Sequence, residues 1–520
     1  MQFYSGVGRI YHFFLIQNFL FFFANRHVTK VLFFAFLTQN EMYPTSTQAP
    51  PSATVPLTDS RHAHDYSFKK KAGLTKQQIL EMVAREGVRY INMQFVDILG
   101  MAKAITLPVH KLENAIDNNV WFDGSSIEGF TRIQESDMYL KPDLDTFAIL
   151  PWTRERKDVT ARMICDVYKP SGEPFEGCPR GVLKRQMEEA RKLGYVFNTG
   201  PELEFFLFKK NGKELNPLPN DKAGYFDQTN DLAIEIRNDM SFALDEMGIE
   251  VEALHHEVAI GQHEINFKYG DALSVADNAI TFRMVLKAIA AKYDLHATFM
   301  PKPIAGINGT GMHVHQSFSS IETGANVFYD GSASNKYGLS KTALSFIAGQ
   351  LLHIKGMNAV LNPTVNSYKR LVPGYEAPVY IAWAQTNRSA LIRVPHISAS
   401  SAAVATRCEL RNPDPTANPY LAFSVMLAAG LDGVRKGLEP PAPVEEDIYE
   451  FTDEKAREVG IKCLADSLKQ ALLSMEKNDV VRGALGEHVY GAFMRAKNDE
   501  WRRYKAAVSR WEIEEYLERY

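Results

Sequence analysis

Two glutamates separated by one residue, Glu202 and Glu204, lie in Gly200-Pro201-Glu202-Leu203-Glu204-Phe205-Phe206-Leu207-Phe208, an apolar run bounded by Pro201 and a Lys209-Lys210-Asn211-Gly212 turn. Such a run reads as a strand, which puts both carboxylates on one face. Side by side they repel unless a cation neutralises them, and a hard divalent ion with oxygen ligands meets that need. An isolated pair of this kind is more often two glutamates on a solvated face, so ligands further along the chain must decide. Glu257 follows His256, Glu264 follows His263, and Gly261 turns the chain between them, so each of two strand ends carries a glutamate. Asn308-Gly309-Thr310-Gly311-Met312-His313-Val314-His315-Gln316-Ser317 is a glycine loop feeding a strand with His313 and His315 on one face. Glu409 completes the set in Arg407-Cys408-Glu409-Leu410-Arg411. A lone strand histidine is usually structural, but His313 has carboxylates for company. Five carboxylates against one imidazole form an oxygen-rich set, which selects magnesium or manganese over zinc or copper.

Arginines supply the complementary charge. Arg370, Arg388, Arg393, Arg407 and Arg411 fall within a short stretch, in apolar, turn-like surroundings that do not resemble a solvated basic face. Guanidinium forks suit phosphates and carboxylates. Divalent metal with convergent arginines is the equipment of phosphoryl transfer, where the protein positions and neutralises. No G-x-x-x-x-G-K-[ST] loop occurs, so a nucleotide must bind by another architecture. Asp123 in Trp121-Phe122-Asp123-Gly124-Ser125-Ser126 is open to two readings, a ligand-facing carboxylate or an Asx-turn satisfying its own backbone.

The elements that must position these groups are legible in outline. Thr75 caps a helix to Glu86 with Ile79, Leu80, Val83 and Ala84 on one stripe; Tyr90 to Val96 and Ala102 to Leu107 form a hairpin around Gly100. Pro179 opens a helix closing at Gly194 and leading into the Glu202 strand. A loop over Asn216 to Asp231 precedes a helix from Leu232 to Met247; a second helix over Ala276 to Tyr293 precedes a strand from His296 to Pro301. Mixed elements without regular βαβ alternation predict an α+β fold. The chain has 520 residues, 45% hydrophobic and 23% charged, with formal net charge −4, which fits a large protein of two domains and gives no electrostatic case for nucleic acid. Four scattered cysteines indicate neither a disulfide framework nor a zinc site, and a reducing compartment fits. Residues 10–37 are Phe-rich but broken by Gln17, Asn18, Arg26 and Lys30 into pieces too short to span a bilayer, and residues 44–71 read as a disordered Pro/Ser/Thr linker.

Taken in order, Asp123-Gly124-Ser125-Ser126, Pro201 to Phe205, His256 to Glu264, Asn308 to His313, Asn366 to Pro378, Asn387 to Pro395 and Arg407 to Pro419 resemble the signature segments of the type I glutamine synthetase family. The resemblance covers Leu74 to Tyr520 and implies an N-terminal extension over 1–73, a small β-grasp domain over 74–172, and a larger catalytic domain with a mixed or antiparallel sheet over 178–520. It implies ATP-dependent ligation of ammonia to the γ-carboxylate of L-glutamate through a γ-glutamyl phosphate, with two or more magnesium or manganese ions per site. One ion would be held by Glu204, Glu257 and Glu264, the other by Glu202, His313 and Glu409. Asp123, Glu376 and Arg388 would be catalytic. Asn308, Gly309, Arg370, Glu376 and Arg411 would bind glutamate. Asp123, Ser126, Tyr225 and Glu257 would bind ammonium, and His315, Ser317, Arg388, Arg393 and Arg407 would bind ATP. Two stacked hexameric rings with sites shared between subunits, a cytoplasmic location, and no nucleic-acid or membrane partner are also implied, with Ser509-Arg510-Trp511-Glu512 capping a helix that could strap the rings. Two alternatives stand beside this: a γ-glutamyl ligase acting on an organic amine, which needs a roomier, less anionic acceptor pocket than Asp123 and Glu376 suggest, and a non-catalytic relative, which should have lost metal ligands.

Overall fold

Thr75 accepts from the backbone N–H of Gln78 while the Gln78 side chain accepts from that of Thr75, and this reciprocal cap starts the helix Lys76–Arg85. Its buried Ile79 and Val83, four residues apart, pack under a five-stranded sheet. In the computed structural model, which describes residues 73–129, 137–211, 214–332, 336–446, 448, 451, 453–458 and 460–520, that sheet is built on the expected hairpin. Tyr90–Val96 pairs antiparallel with Ala102–Pro108 and parallel with Thr160–Tyr168; Asp137–Ile149 and Val120–Asp123 complete it. Ile91, Met93, Leu140, Met163 and Val167 form its core. The extension and linker expected before Gly73 lie outside the described residues.

Beyond it, a ten-stranded sheet is organised on the seventeen-residue strand Tyr195–Asn211. Gln262–Phe267 and Met312–Ser320 flank it, Val251–His256 adds beyond the first, and Cys408–Leu410, Ile392–Arg393 and Trp383–Ala384 add beyond the second. Alternation along the central strand sends Leu203, Phe205 and Leu207 into the core shared with helices Pro179–Arg191, Ala272–Lys292, Lys341–Leu361 and Pro419–Lys436. Glu202 and Glu204 are left on the other face. Pairing is antiparallel except between Tyr90–Val96 and Thr160–Tyr168 and between Trp383–Ala384 and Ile392–Arg393 among the described residues, as the α+β expectation requires.

Two local expectations change. The stretch expected as a loop from Asn216 begins as the strand Glu214–Pro219, paired with the far end of the central strand. Its prolines disguised it, because proline suits a strand whose N–H groups are not all needed by a neighbour. The helix expected from Ala276 starts at Ala272, because the Asp271 side chain accepts from the Ser274 N–H and caps it.

Arg180 ties the small sheet to the helices that cover the large one. Its buried guanidinium donates to Asp277 at 3.0 and 2.9 Å, to Asp166 at 3.0 Å and to Asp143 at 2.7 Å, and the Tyr420 hydroxyl donates to Asp277 at 2.6 Å. Burial opposes the charge on Asp166, but Arg180 and Lys184 hold its carboxyl below the usual range. That contribution to stability is therefore present at neutral pH and lost as acid carries the pH down through the lowered value. Replacing Arg180 by Leu leaves Asp143 and Asp277 without their cation and Asp166 with Lys184 alone, and is expected to cost about 3–5 kcal/mol. A thermal midpoint unchanged from the parent would show that the node contributes nothing.

Candidate active site

Register across the large sheet decides which side chains meet. Glu204 lies opposite Glu264, and Glu264 opposite His255; Glu202 lies opposite His313; His315 lies opposite Glu409, and Glu409 opposite Arg393. Residues separated by more than a hundred positions thus form rows on one sheet face. Glu202, His313 and Glu409, the trio grouped by the family resemblance, have ligand atoms within 4.8 Å of one another. His313 Nδ1 stands 3.4 Å from Glu202 Oε2 and 3.7 Å from Glu409 Oε1.

The other expected trio assembles differently. The converging groups are His255, Glu257 and Glu264, with His255 Nε2 at 2.9 Å from Glu257 Oε1. Glu204 stands beside them with Oε2 accepting from Gln262 Nε2 at 2.7 Å and from the Gly311 N–H at 2.9 Å, while Oε1 faces His313 Nε2 at 4.0 Å. Glu204 therefore sits between the two clusters with one oxygen engaged. His255 was not among the expected ligands; it lies near the end of the strand Val251–His256, two residues before Glu257. A Cβ at Gly311 would lie 2.7 Å from Arg370 Nη2 and 2.9 Å from His313 Nε2, so any larger residue there would displace the site's own side chains.

Electrostatics point to cations. Burial and then the Glu257 charge push the Glu204 carboxyl up to about 8. Burial followed by Glu202, Glu204 and Glu257 holds Glu264 well above the carboxylate range. Glu202 is half-buried, and although desolvation opposes its charge, hydrogen bonds from His313 and His315 keep it well below. Carboxyls that resist ionisation mark a surplus of negative charge, and the donor set of carboxylates and imidazoles fits hard divalent ions.

A 480 Å³ cavity opens over these groups. Every residue expected to hold metal or glutamate lines it, together with Tyr225, Arg388 and Arg393. A second cavity of 310 Å³ contains His315, Ser317 and Arg407 from the expected ATP set, along with Tyr269, which carries no motif that would single it out. Glu202 and Asn266 line both. Arg388 and Arg393, grouped with ATP on the sequence, thus stand on the metal side of that shared wall. Glu409 is paired by Arg411 and by Arg393 Nη1 at 3.1 Å. Arg370 is buried, and its Nη1 and Nη2 donate to the carbonyls of Asn412 at 2.8 Å, Pro413 at 3.3 Å and Arg411 at 3.2 Å, so much of its donor capacity braces that segment. Asp123 and Ser126 do not line either cavity of their own chain; both are exposed, and Asp123 Oδ1 accepts from the Ser125 N–H at 2.8 Å.

Asp221, His256 and His263 form a third, fully buried cluster. It is not suited to metal. His263 Nδ1 faces Arg237 Nη1 at 2.9 Å, and a guanidinium only donates, so the ring proton sits on Nε2 and leaves no lone pair there. His256 faces acceptors on both nitrogens, Glu257 O at 2.6 Å and Asp221 Oδ1 at 2.9 Å, and so braces the backbone of Glu257 from behind.

Known proteins resemble this chain in sequence and fold. Residues 87–170 match the family model "Glutamine synthetase, beta-Grasp domain" and residues 176–516 match "Glutamine synthetase, catalytic domain". Glutamine synthetases of Clostridium saccharobutylicum and Thermus thermophilus are each 53% identical, over 452 and 453 residues, spanning 86% of this chain and all of the relative. Among solved structures, a GmaS/ADP complex matches with TM-score 0.75 at 31% identity, covering 84% of this chain and 99% of that one. Plasmodium falciparum glutamine synthetase matches with TM-score 0.76 at 26% identity, covering 85% and 99%.

Proposed function

This chain belongs to the glutamine synthetase family, and from that premise we propose how its two cavities divide the work of ATP-dependent glutamine synthesis. The observation that carries the reading is the shared wall: Glu202 lines both the carboxylate- and arginine-rich cavity and the one containing His315, Ser317 and Arg407. ATP occupies the second cavity with its phosphates toward Glu202. The ADP in the GmaS complex supports a nucleotide in this fold. Glutamate occupies the first, its charged groups met by Arg370, Arg411, Asn308 and Gly309. The family uses divalent metal, and we assign magnesium or manganese to Glu202, His313 and Glu409 and to Glu257 and Glu264 with Glu204, with His255 orienting Glu257. When bound, these ions neutralise carboxylate and phosphate charge so that anionic reactants can approach.

A bare carboxylate is a poor acyl donor, so its γ-oxygen first bonds to the γ-phosphorus of ATP as the bond to the bridging oxygen breaks and ADP leaves. Arg388 and Arg393, on the metal side of the wall, balance the charge that develops between the two anions. Ammonia then attacks the acyl carbon and phosphate departs. Tyr225, Glu257 and Glu376 surround the entering ammonium within the first cavity. Asp123 and Ser126 reach it from a neighbouring subunit, and Asp123 takes the proton. This requires an oligomer, and two stacked hexameric rings are our assignment. The helix Arg510–Tyr516, capped by Ser509 and Glu512 as expected and exposing Trp511 and Leu517, is suited to strap them. Among the described residues no helix is long and apolar enough to cross a membrane, and we place the enzyme in the cytoplasm.

The deciding assay supplies ATP, magnesium, glutamate and either ammonium or a panel of amines, following phosphate and amide together. Ammonium is expected to be the preferred nucleophile; faster turnover with an alkylamine would transfer the assignment to the amine ligase. The family models begin at residue 87, and no residue before 74 has a role in the mechanism. A chain starting at Phe68 is accordingly expected to keep the specific activity and oligomeric state of the full chain, and loss of either would give the extension a role.

A further inference from the structure

Lys302 lies beside the first cavity without lining it. The Asn366 side chain clasps its backbone from both sides, accepting from Lys302 N at 2.8 Å and donating to Lys302 O at 3.1 Å. Its side chain is nearly buried, and Nζ donates to the carbonyl of Ile307 while standing 3.7 Å from the centroid of the Tyr375 ring. Both contacts adjoin residues of the cavity wall. Asn308 follows Ile307 and donates through Nδ2 to Glu376 Oε2 at 3.0 Å; Glu376 follows Tyr375 and holds φ of 55°, in the left-handed region that a residue with a Cβ adopts only when its surroundings impose it. A cation over an aromatic face, away from water, is worth more than the same contact at a surface. One ammonium group therefore joins the loop that presents Asn308 and Gly309 to the loop that presents Tyr375 and Glu376.

We propose that Lys302 is a positioning residue: by bridging the Ile307 carbonyl and the Tyr375 ring it keeps the two loops closed on each other, so that ammonia, and not water, meets the acyl phosphate. The inference rests on the reading that Asn308 and Glu376 stand around glutamate and ammonium. If the loops part, water attacks the acyl carbon, the carbon–oxygen bond to phosphate breaks, and glutamate and phosphate are released with a proton. ATP is then consumed without glutamine.

The test measures glutamine and ADP in the same reaction for the full-length parent, Lys302→Met, Lys302→Arg and Tyr375→Leu. Met keeps the apolar stem without the charge, Arg keeps a cation that stacks on aromatic rings and donates to carbonyls, and Leu removes the ring from a half-buried position outside the helices and strands. Lys302→Met is expected to raise KM for ammonium about tenfold with a smaller fall in kcat, and to drop glutamine per ADP from near one to roughly half or below. Tyr375→Leu should reproduce both effects, the double variant should be no worse than either single one, and Lys302→Arg should recover most of the ratio. A ratio that stays near one in Lys302→Met and Tyr375→Leu, with KM unchanged, overturns the clamp while leaving the proposed function intact. A fall in kcat alone at constant ratio overturns it too, since that is what general destabilisation would produce. Failure of the parent itself to form glutamine would instead overturn the reading beneath it.

Discussion

Glu204→Gln is expected to lower kcat/KM by about three orders of magnitude, or ~4 kcal/mol of transition-state stabilisation, while leaving the fold and oligomer intact. The contrast follows from the two carboxylate oxygens doing different things. Oε2 accepts from Gln262 and from the Gly311 N–H, and a glutamine carbonyl oxygen can take over both bonds. Its amide nitrogen must then occupy the place of Oε1, facing His313 at 4.0 Å and the clusters on either side. An N–H₂ group there presents hydrogen to a cation and removes one unit of negative charge from between the two metal positions. Thermal unfolding without added metal should therefore match the parent, whereas the stabilisation gained on titrating in magnesium or manganese should shrink. Near-parental turnover at limiting metal would show that Glu204 is only a bonding partner of the Gly311 loop.

Asp123→Asn is expected to abolish most of the ammonium reaction while sparing ATP and glutamate binding, whose groups all lie elsewhere. The neutral amide neither attracts ammonium nor accepts its proton. Hydroxylamine needs no such deprotonation near neutral pH, so hydroxamate formation should suffer much less, and equal losses with both nucleophiles would leave Asp123 as the turn residue that its bond from Ser125 N already makes it. The same variant tests sharing between subunits. Asp123 lines neither cavity of its own chain, so a mixture of Asp123→Asn and Glu204→Gln protomers, reassembled after dissociation, should regain activity. With random assembly in a closed ring, about a quarter of the sites combine an intact Asp123 with an intact cavity. No recovery in verified mixed oligomers would place Asp123 within its own subunit or outside the site.

Much of this was open to reading along the chain. Glu202 and Glu204, His313 and His315, and the glutamates beside Gly261 follow from the two-residue period of strands, and an oxygen-rich ligand set implies hard cations wherever the groups meet. Capping at Thr75 and Ser509 is a local reciprocal bond, and both caps form as their spacing requires. Local chemistry of this kind acts over a few residues, which is why it survives reading in isolation. Asp271 shows the limit even there: as a cap it adds a turn to its helix that the apolar pattern alone did not suggest.

Residue types and their spacing thus set the kind of chemistry and the strands that carry it, and only the folded chain settles which groups stand next to one another. Glu204 faces Glu264, Glu202 faces His313, and His315 faces Glu409 only because three antiparallel pairings fix their registers across separations of 60 to 111 residues, and a slip of one residue would turn each side chain to the other face. A tight strand pairing set His255 beside Glu264, while contacts between distant segments left Glu204 between the two candidate metal clusters, put Arg388 and Arg393 on the metal side of the Glu202 wall, and engaged Arg370 with backbone carbonyls. Packing of distant segments also set Lys302 over Tyr375, a contact across seventy-three positions that neither residue's neighbours announce. Such contacts depend on where whole elements come to rest, a property of the packed core as a unit that no short window of residues contains.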